Sequence, residues 1–487
     1  MQINKKARKY GIVLLILFAV CPAYCSTTYF VATTGSDSNP GTTIDYPFLT
    51  IGKAVGLVAA GDTIYVRAGT YTYTNTTGSI TLPAKSGTSD INRCSLIGYS
   101  GERALLDFSA MTGSSADGLK ITGSYWYIKG IDCKGAPHNG IKISGGSYNI
   151  LEFCSSYENW NSGVQLSSGA SYNQFKNCDS YHNYDKYTTP NPGVNADGFS
   201  PKLNVGTGNY FYGCRSWGNS DDAYDGYLRP DTGGPNSVDT TYENCWAFKC
   251  GWYWKDGSTN DHMNGNGFKM GGGDSSNSAK LRHNVILKNC LSFQNKEKGF
   301  DQNNDKGSMT LLNCTAFNNG AANYNINVTL ASIAKATITN CVYLTGGSNT
   351  LASWVVQTTN GWMSPFSTTS ADFVSIDPNL AYGPRNADGS LPKIAFMRLA
   401  PGSDLIDGGT IDANLPLPYN GSAPDLGAFE YLPGDCHSDG QIDLLDLKCV
   451  ADNWLSSSCG TCNWADFNGD NNVNFFDFAI MAENWMK

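Results

Sequence analysis

The stretch ILEFCSSYENWNSGVQLSSGASYNQFKNCDSY, residues 150–181, contains one full copy of the pattern that decides the fold. A short apolar segment ends at Cys154, a second short segment opens with Gly163, and the first segment returns at Cys178, 24 residues later. Apolar and polar residues alternate within these segments, which is typical of β-strands. A unit of this size with two or three short strands predicts one turn of a parallel β-helix.

The cysteine that ends the first segment recurs through the middle of the chain, at spacings of 24 to 45 residues. We interpret the longer spacings as loop insertions at one corner of the coil. We expect these cysteines to form an internal column of free, buried thiols. Disulfides between neighbouring turns are the alternative in an exported protein. The repeated position is occupied by Cys154, Cys178, Cys214, Cys245, Cys290, Cys314 and Cys341.

The composition also favours an all-β protein. Of 487 residues, 54 are glycine and only 15% are charged, which is typical of a chain rich in strands and turns. The length suits one large domain and one small domain. The net charge is −9 and no basic stripe is present, so a nucleic-acid partner is not expected. An acidic polymer stays possible as a substrate if a bound cation or a few placed lysines and arginines receive it.

The two ends of the large domain carry their own signals. Residues 1–25 have the basic start, apolar run and small residues of a secretory signal, so we expect the mature protein to be exported. Cys21 and Cys25 lack the context of a lipidation site, which favours cleavage. No later apolar run approaches the ~20 residues of a membrane span. The segment from Pro47 predicts an amphipathic helix that caps a β-helix domain covering residues 26–432.

Four aspartates and one lysine lie within the repeats and form the candidate site. We align Gly198, Gly226 and Gly267 as the glycines that open equivalent strands, which places Asp197 and Asp225 at equivalent positions. If these turns are consecutive, the ~4.8 Å spacing of neighbouring strands brings both carboxylates within reach of one ion. Two further aspartates precede the second glycine, and a lysine that we expect to face solvent follows the third. The candidate residues are Asp197, Asp221, Asp222, Asp225 and Lys269.

This set of residues points to a bound cation with a base beside it. Four carboxylates at close range repel one another without a counterion. Calcium, which takes six to eight oxygen ligands, suits them better than magnesium. A lysine next to such an ion can act as a base. The alternative is that the aspartates are solvated turn residues, which glycine-rich corners favour. Their one-turn spacing makes us prefer the cation site.

Three motifs carry a resemblance to a known family: NADGF at 195–199, GCRSWGNSDDAYD at 213–225 and NGNGFKMG at 264–271. They resemble the core motifs of the family 9 polysaccharide lyases, which are pectate lyases with a right-handed, single-stranded parallel β-helix. The resemblance covers about residues 28–432. It implies that the four aspartates bind Ca²⁺, that Lys269 is the Brønsted base, and that the substrate is homogalacturonan, cleaved by β-elimination. Nearby calcium is expected to lower the pKa of the lysine, which predicts an alkaline optimum.

Other functions stay open at this point. A lyase that acts on rhamnogalacturonan or alginate shares the fold and the chemistry, and a non-catalytic carbohydrate-binding β-helix shares the fold. A polygalacturonase-type hydrolase is disfavoured because its GHG and RIK strings do not occur. We expect Trp217 and Trp246 to be core residues and His262 to be incidental. Weaker candidates for substrate contacts are Lys202, Arg215, Lys249, Arg282, Lys298, Trp252 and Trp254.

The tail, residues 433–487, predicts a second domain. The segments 435–446 and 466–477 each place oxygen-bearing residues at positions 1, 5, 9 and 12 of an EF-hand-like loop. The duplicated loops resemble type I dockerins, which implies calcium binding and a cohesin or cell-surface partner. His437 and Asn471 depart from the loop pattern, and we expect the first loop to bind calcium weakly. The predicted ligands are Asp435, Asp439, Asp443, Asp446, Asp466, Asn468, Asp470, Asn474 and Asp477.

Four further cysteines lie in this tail. A domain this small buries little apolar surface, so we expect these cysteines to form disulfides. The pairing does not follow from the sequence. The four are Cys436, Cys449, Cys459 and Cys462.

Overall fold

The computed structural model describes residues 26–84, 87–229, 237–273, 280–458 and 462–485. The predicted signal peptide, residues 1–25, lies outside these ranges. Within them, no helix is long and apolar enough to cross a membrane.

Three parallel sheets coil around a common core, and each turn adds one strand to each sheet in the same order. This arrangement confirms the predicted parallel β-helix. The first sheet contains β1 (Thr28–Val31), β2 (Thr63–Val66), β5 (Cys94–Gly98), β8 (Trp126–Lys129), β11 (Ile150–Glu152), β14 (Gln174–Lys176), β17 (Asn209–Tyr212), β20 (Ser237–Glu243), β23 (Arg282–Lys288), β26 (Met309–Leu312), β29 (Ala336–Thr339) and β32 (Val356–Thr358). The second sheet contains β3 (Gly69–Thr74), β6 (Ala104–Ala110), β9 (Ile131–Lys134), β12 (Ser155–Tyr157), β15 (Asp179–Tyr181), β18 (Arg215–Trp217), β21 (Trp246–Phe248), β24 (Leu291–Phe293), β27 (Thr315–Phe317) and β30 (Val342–Leu344). The third sheet contains β4 (Ile80–Leu82), β7 (Leu119–Ile121), β10 (Ile141–Ser144), β13 (Val164–Ser167), β16 (Phe199–Pro201), β19 (Tyr224–Asp225), β22 (Phe268–Lys269), β25 (Lys298–Asp301), β28 (Ala322–Ile326) and β31 (Thr350–Leu351).

Aromatic rings stack inside the third sheet and fix its register. Phe199, Tyr224, Phe268, Phe300 and Tyr324 are fully buried, and successive rings lie 4.6 to 5.4 Å apart between centroids. Each ring is the inward residue of its strand, so the residue after it points outward. The stack therefore holds the outward side chains of neighbouring turns at a constant spacing.

Polar and sulfur-containing columns line the corners of the coil. The ten cysteines from Cys94 to Cys341 are free and buried, which confirms that the seven at the repeated position are free, buried thiols, as predicted. At another corner, the side-chain amide of Asn159 donates to Asn183 (2.9 Å), and that of Asn183 donates to Asn219 (2.8 Å). These amides also accept hydrogen bonds from corner backbone N–H groups, so the turns are satisfied without water.

The N-terminal end of the coil and one of its faces are covered by further segments. The helix α1 (Ile51–Leu57) begins after Thr50, whose side chain accepts a hydrogen bond from the backbone N–H of Lys53, and buries Ile51, Ala54 and Val55 in the core. This confirms the predicted capping helix. Further along, residues 373–431 pack over the second sheet. There Arg385 and Arg215 enclose the buried Asp179 carboxylate, with the closest nitrogen–oxygen distances at 2.7 and 3.0 Å.

The tail forms two short helices, α2 (Leu444–Asp452) and α3 (Phe475–Glu483). A disulfide joins Cys436 to Cys449, and Cys462 is also disulfide-bonded, while Cys459 lies outside the described residues. The expectation that these cysteines form disulfides is therefore confirmed for three of the four.

Candidate active site

The candidate residues meet on the outer face of the third sheet, but in a different register from the predicted one. Phe199 pairs with Tyr224 and Tyr224 with Phe268, so Ala223 is the residue equivalent to Gly198. The alignment through Gly226 was therefore wrong by three residues. The buried aromatic ring, and not the glycine, sets the register of this strand.

The corrected register changes which residues are equivalent. Asp222 takes the position of Asp197 on the next turn, and Asp225 lies directly beside Lys269. The predicted equivalence of Asp197 and Asp225 is wrong, whereas the prediction that Lys269 lies one turn beyond Asp225 is confirmed.

Three carboxylates form a compact, buried group. One oxygen each from Asp197, Asp221 and Asp222 lie within 4.8 Å of one another, and the three residues are at most 4% exposed. Oδ1 of Asp197 and Oδ1 of Asp221 are buried without a hydrogen-bond donor among the described residues. Buried carboxylate oxygens rarely lack partners. Two such oxygens within one compact group of carboxylates fit a hard cation with oxygen ligands.

Two lysines bind the same acids from the sides. Nζ of Lys202 lies 2.5 Å from Oδ2 of Asp197 and 3.2 Å from Oδ2 of Asp225. Nζ of Lys269 donates to Oδ2 of Asp222 at 2.9 Å and lies 3.6 Å from Oδ1 of Asp225. Asp225 is thus held between both ammonium groups and lies outside the compact triad. The sequence analysis named Lys202 only as a weak substrate contact.

The side chain of Lys269 points outward from β22, yet it is only 11% exposed. The expectation that it faces open solvent is wrong, because the neighbouring acids cover it. Its main partner is itself fixed: Oδ1 of Asp222 accepts hydrogen bonds from the backbone N–H and the side-chain amide of Asn266, both at 2.8 Å. The amine therefore has one defined position.

Burial and mutual repulsion disturb the acid–base properties of the group. Burial is the main cause that raises the pKa of Asp197 to about 7, and it also raises the pKa values of Asp221 and Asp222. Burial alone would lower the pKa of Lys269, but the charges of Asp222 and Asp225 outweigh it and raise that pKa well above its ordinary value. The expected lowering of the lysine pKa therefore requires a cation that compensates these carboxylates.

The family model for the Pel9A-like right-handed β-helix region matches residues 29–349. The chain belongs to this family. The description of the model also confirms the predicted right-handed coil. A second model, the Dockerin type I domain, matches residues 433–484, which confirms the predicted resemblance of the tail to type I dockerins.

Individual relatives of this Pel9A-like chain carry lyase names. Pectate lyase L of Dickeya chrysanthemi is 38% identical over 411 residues, covering 82% of this chain and 90% of the relative. The crystal structure of the pectate lyase Pel9A is 37% identical with a TM-score of 0.74, covering 83% of this chain and 97% of that one. A solved rhamnogalacturonan lyase is 27% identical with a TM-score of 0.67, covering 77% and 97%. The chain is therefore a polysaccharide lyase, as predicted.

The weaker candidates in the Pel9A-like domain fall into different environments. Arg215 is buried against Asp179 on the second sheet, so it is not available to a ligand at the site. Lys298 lies 3.3 Å from Asp301, one turn beyond Lys269. Trp246 is 1% exposed and belongs to the cluster beneath the C-terminal segment, which confirms it as a core residue.

The long insertion after β21 is anchored by stacked rings. Trp254 stacks on His182 with centroids 4.7 Å apart, and Tyr253 stacks on Tyr184 at 4.1 Å. Nζ of Lys249 lies 5.7 Å from the centroid of the Trp252 ring. The insertion is thereby fixed beside the loop that leads into Asp197.

The dockerin loops have matching geometry. Oxygens of Asp435 accept hydrogen bonds from the N–H groups of Asp439 (3.0 Å) and Gly440 (2.6 Å), as oxygens of Asp466 do from Asp470 (3.1 Å) and Asn471 (2.7 Å). Each loop ends in a helix with a capping box, formed by Asp443 with Asp446 and by Asn474 with Asp477. The two loops therefore share the same turn and cap geometry, and their calcium binding stays a prediction.

Proposed function

We propose that the chain is a calcium-dependent pectate lyase that cleaves 4-linked galacturonan by β-elimination, with Lys269 as the base. The observation that carries this proposal is the buried triad of Asp197, Asp221 and Asp222, whose two unpartnered oxygens fit a hard cation, with the Lys269 amine 2.9 Å from one member. The names of the relatives support the substrate class.

The residues have distinct roles in this reaction. Asp197, Asp221 and Asp222 would hold Ca²⁺, with Asp225 as the fourth acid beside them. When bound, calcium acts as a Lewis acid that neutralises the uronate carboxylate and makes the C5 proton more acidic. Lys269, in its neutral form, accepts that proton. The C5–H electron pair forms the C4–C5 double bond while the C4–oxygen bond breaks, and the departing sugar keeps that oxygen with its electron pair and takes a proton from solvent water. Asp222 stabilises the ammonium formed on Lys269.

The test measures unsaturated uronate ends released from polygalacturonate by their ultraviolet absorbance, with and without a chelator. Wild type is expected to release chelator-sensitive product, and Lys269→Ala is expected to release none while it still folds and binds calcium. Lys176→Ala is the matched control, since Lys176 points outward from the first sheet. Turnover by Lys269→Ala at the wild-type rate would show that Lys269 is not the base.

The pH dependence gives an independent check on Lys269. The neighbouring carboxylates raise its pKa, so the neutral amine becomes abundant only as the pH rises. The rate is therefore expected to increase into the alkaline range. A profile that stays flat from acid to alkaline pH contradicts a lysine base.

Rhamnogalacturonan is the second candidate substrate. It is favoured by the likeness to the solved rhamnogalacturonan lyase, whose TM-score of 0.67 is close to that of Pel9A. The same absorbance assay with rhamnogalacturonan in place of polygalacturonate distinguishes the two substrates, because unsaturated ends are released only from the polymer that the enzyme cleaves.

For the tail, we propose calcium-dependent docking to a cohesin, which would hold the exported enzyme in a larger assembly or at a cell surface. Each helix of the tail starts with an exposed apolar pair, Leu444 with Leu445 and Phe475 with Phe476. The two pairs occupy equivalent places in the duplicated motif, so either one offers the same kind of surface. Calorimetry with a type I cohesin is expected to show binding that a chelator and Phe475→Ala with Phe476→Ala both weaken. Unchanged binding in the chelator would contradict calcium-dependent docking.

A further inference from the structure

The outward positions of the third sheet form one column that passes through the active site. The register places each member directly beside the next member on the neighbouring turn. From the N-terminal side, the column contains Lys120, Lys142, Gln165, Ser200, Asp225, Lys269, Asp301 and Asn325.

Positive charge lies on the N-terminal side of this column. Lys142 is three turns from Asp225 and Lys120 is four turns from it, about 14 and 19 Å at the usual strand spacing. Nζ of Lys142 lies 3.7 Å from Asp117, but that carboxylate is also bound by His138 at 2.7 Å. Among the described residues, no carboxylate lies within ion-pair distance of Lys120. Lys120 and Lys142, taken together with their neighbours, therefore present net positive charge at the surface.

The floor between these lysines and the active site is low and uncharged. Gln165 is 6% exposed and accepts a hydrogen bond from the Asn139 amide at 3.0 Å, while the Ser200 hydroxyl donates to the carbonyl of Val164 at 3.1 Å. Both side chains are thus tied down along the sheet. Neither one repels an acidic polymer or blocks its path.

The C-terminal side of the column differs. Asp301 follows Lys269 and is 1% exposed, and it is bound by Lys298 at 3.3 Å and by the Asn325 amide at 2.7 Å. The described strands β25, β28 and β31 carry no further lysine or arginine. A chain of carboxylates therefore finds attractive charge in one direction only.

We propose that the polyuronate substrate lies along the third sheet and extends from the active site toward the capping helix, where Lys142 and Lys120 bind the carboxylates of sugars several units from the cleaved bond. This inference rests on the proposed function. It makes the two lysines determinants of chain-length preference, since a short oligosaccharide bound at the active site does not reach them.

The experiment compares long polygalacturonate with trigalacturonate as substrates of Lys142→Gln, Lys120→Gln and the double variant. For the polymer, KM is expected to rise by about fivefold per lysine, the upper end of what one solvent-exposed ion pair contributes. For the trimer, both KM and kcat are expected to stay at wild-type values. Lys176→Gln removes an outward lysine from the first sheet and is expected to leave KM and kcat unchanged for both substrates.

Binding is measured separately so that this inference and the proposed function fail in different ways. Affinity electrophoresis in gels that contain polygalacturonate uses Lys269→Ala, alone and combined with the two lysine variants, with added calcium. Weaker retention of the combined variant, with a smaller dependence on salt, supports the subsites. Equal retention of Lys269→Ala and of the combined variant overturns the two lysine subsites. So does an equal loss of activity on the polymer and on the trimer. An absence of unsaturated product from wild type would instead remove the proposed function.

Discussion

Replacing Asp221 with asparagine is expected to stabilise the protein in the absence of calcium. Asp221 is 4% exposed, its Oδ1 has no donor, and no lysine among the described residues lies within ion-pair distance of it. Burial, followed by the charges of Asp222 and Asp197, raises its pKa well above the ordinary value. The asparagine keeps the shape of the side chain and removes one of the charges that repel one another.

The neighbouring Asp197 shows how much free energy it costs to ionise a carboxyl group in this cluster. Its pKa of about 7, against an ordinary value of 3.8, corresponds to about 4 kcal/mol of unfavourable free energy once the group is ionised. A raised carboxyl pKa means that the folded state binds more protons than the unfolded state between about pH 4 and 7, so stability falls as the pH rises through this window. For Asp221, which is as deeply buried, removing an uncompensated buried charge is expected to change stability by about 3 to 5 kcal/mol. For a domain of about 400 residues, this difference shifts the melting temperature by about 5 °C.

The assay is thermal unfolding of the full chain at pH 5 and pH 8, with chelator and with calcium. In chelator at pH 8, Asp221→Asn is expected to melt about 5 °C above wild type, and the gap is expected to shrink at pH 5, where wild type is protonated. Calcium is expected to raise the wild-type value and to have less effect on the variant. Any response of the dockerin loops to calcium is expected to be the same in both proteins, so it cancels in the comparison.

Two results would refute this reasoning. A variant that melts below wild type in chelator at pH 8 would show that Asp221 makes a favourable contact as an ionised group. A calcium-induced shift of equal size in both proteins would show that Asp221 is not a ligand.

Three further outcomes follow from the packing. Arg385→Ala is expected to destabilise the protein by about 3 to 5 kcal/mol in urea unfolding, because it leaves the buried Asp179 carboxylate with one guanidinium fewer; a change below 1 kcal/mol would contradict this. Cys250→Asn is expected to gain about 1 kcal/mol, since Cys250 interrupts the asparagine ladder above Asn219 and asparagine restores the hydrogen bond; a lower urea midpoint would count against it. Lys393→Ala is expected to tighten calcium binding in the first dockerin loop by a few-fold in calorimetry, because the ammonium lies 3.7 and 4.0 Å from two predicted ligands, while the second loop stays unchanged as the control.

The sequence allowed the architecture to be predicted because every turn repeats the same local constraints. Inward apolar residues, a corner cysteine and a turn glycine recur together, so an error in one turn does not spread to the next. The thiol column and the capping helix α1 follow from this repetition. The placement of Lys269 on the turn beyond Asp225 also follows, since the motif around Gly267 is regular.

The register of β19 was not predictable from glycine alone. Ala223 stands where neighbouring turns have glycine, and Gly226 three residues later imitates the missing marker. The inward ring of Tyr224 decides the pairing, because it stacks on Phe199 and Phe268. An alignment on the aromatic residue, two before Gly226, would have placed Asp222 correctly.

Contacts between distant parts of the chain left no local signal. Arg385 reaches Asp179 across 206 residues, and no periodicity in the sequence connects them. Lys202 is closer, yet its role depends on the way the chain turns after β16, where Leu203 adopts a positive φ of 62°. Its ammonium then folds back onto Asp197 and Asp225.

The charges in the active site explain why two lysines accompany four aspartates. Asp197, Asp221, Asp222 and Asp225 are all at least 96% buried, and so many ionised acids are stable only if nearby cations compensate them. Lys202 and Lys269 offset two of the four charges, which leaves the charge that one divalent cation balances. The lysines are not equivalent in this balance. Lys202 bridges two aspartates at 2.5 and 3.2 Å, whereas Lys269 binds one aspartate at 2.9 Å and lies 3.6 Å from a second. The two side chains are almost equally covered, at 9% and 11% exposed, so the tighter ion pairs, and not burial, mark Lys202 as the fixed counterion and leave Lys269 as the lysine that we propose as the base.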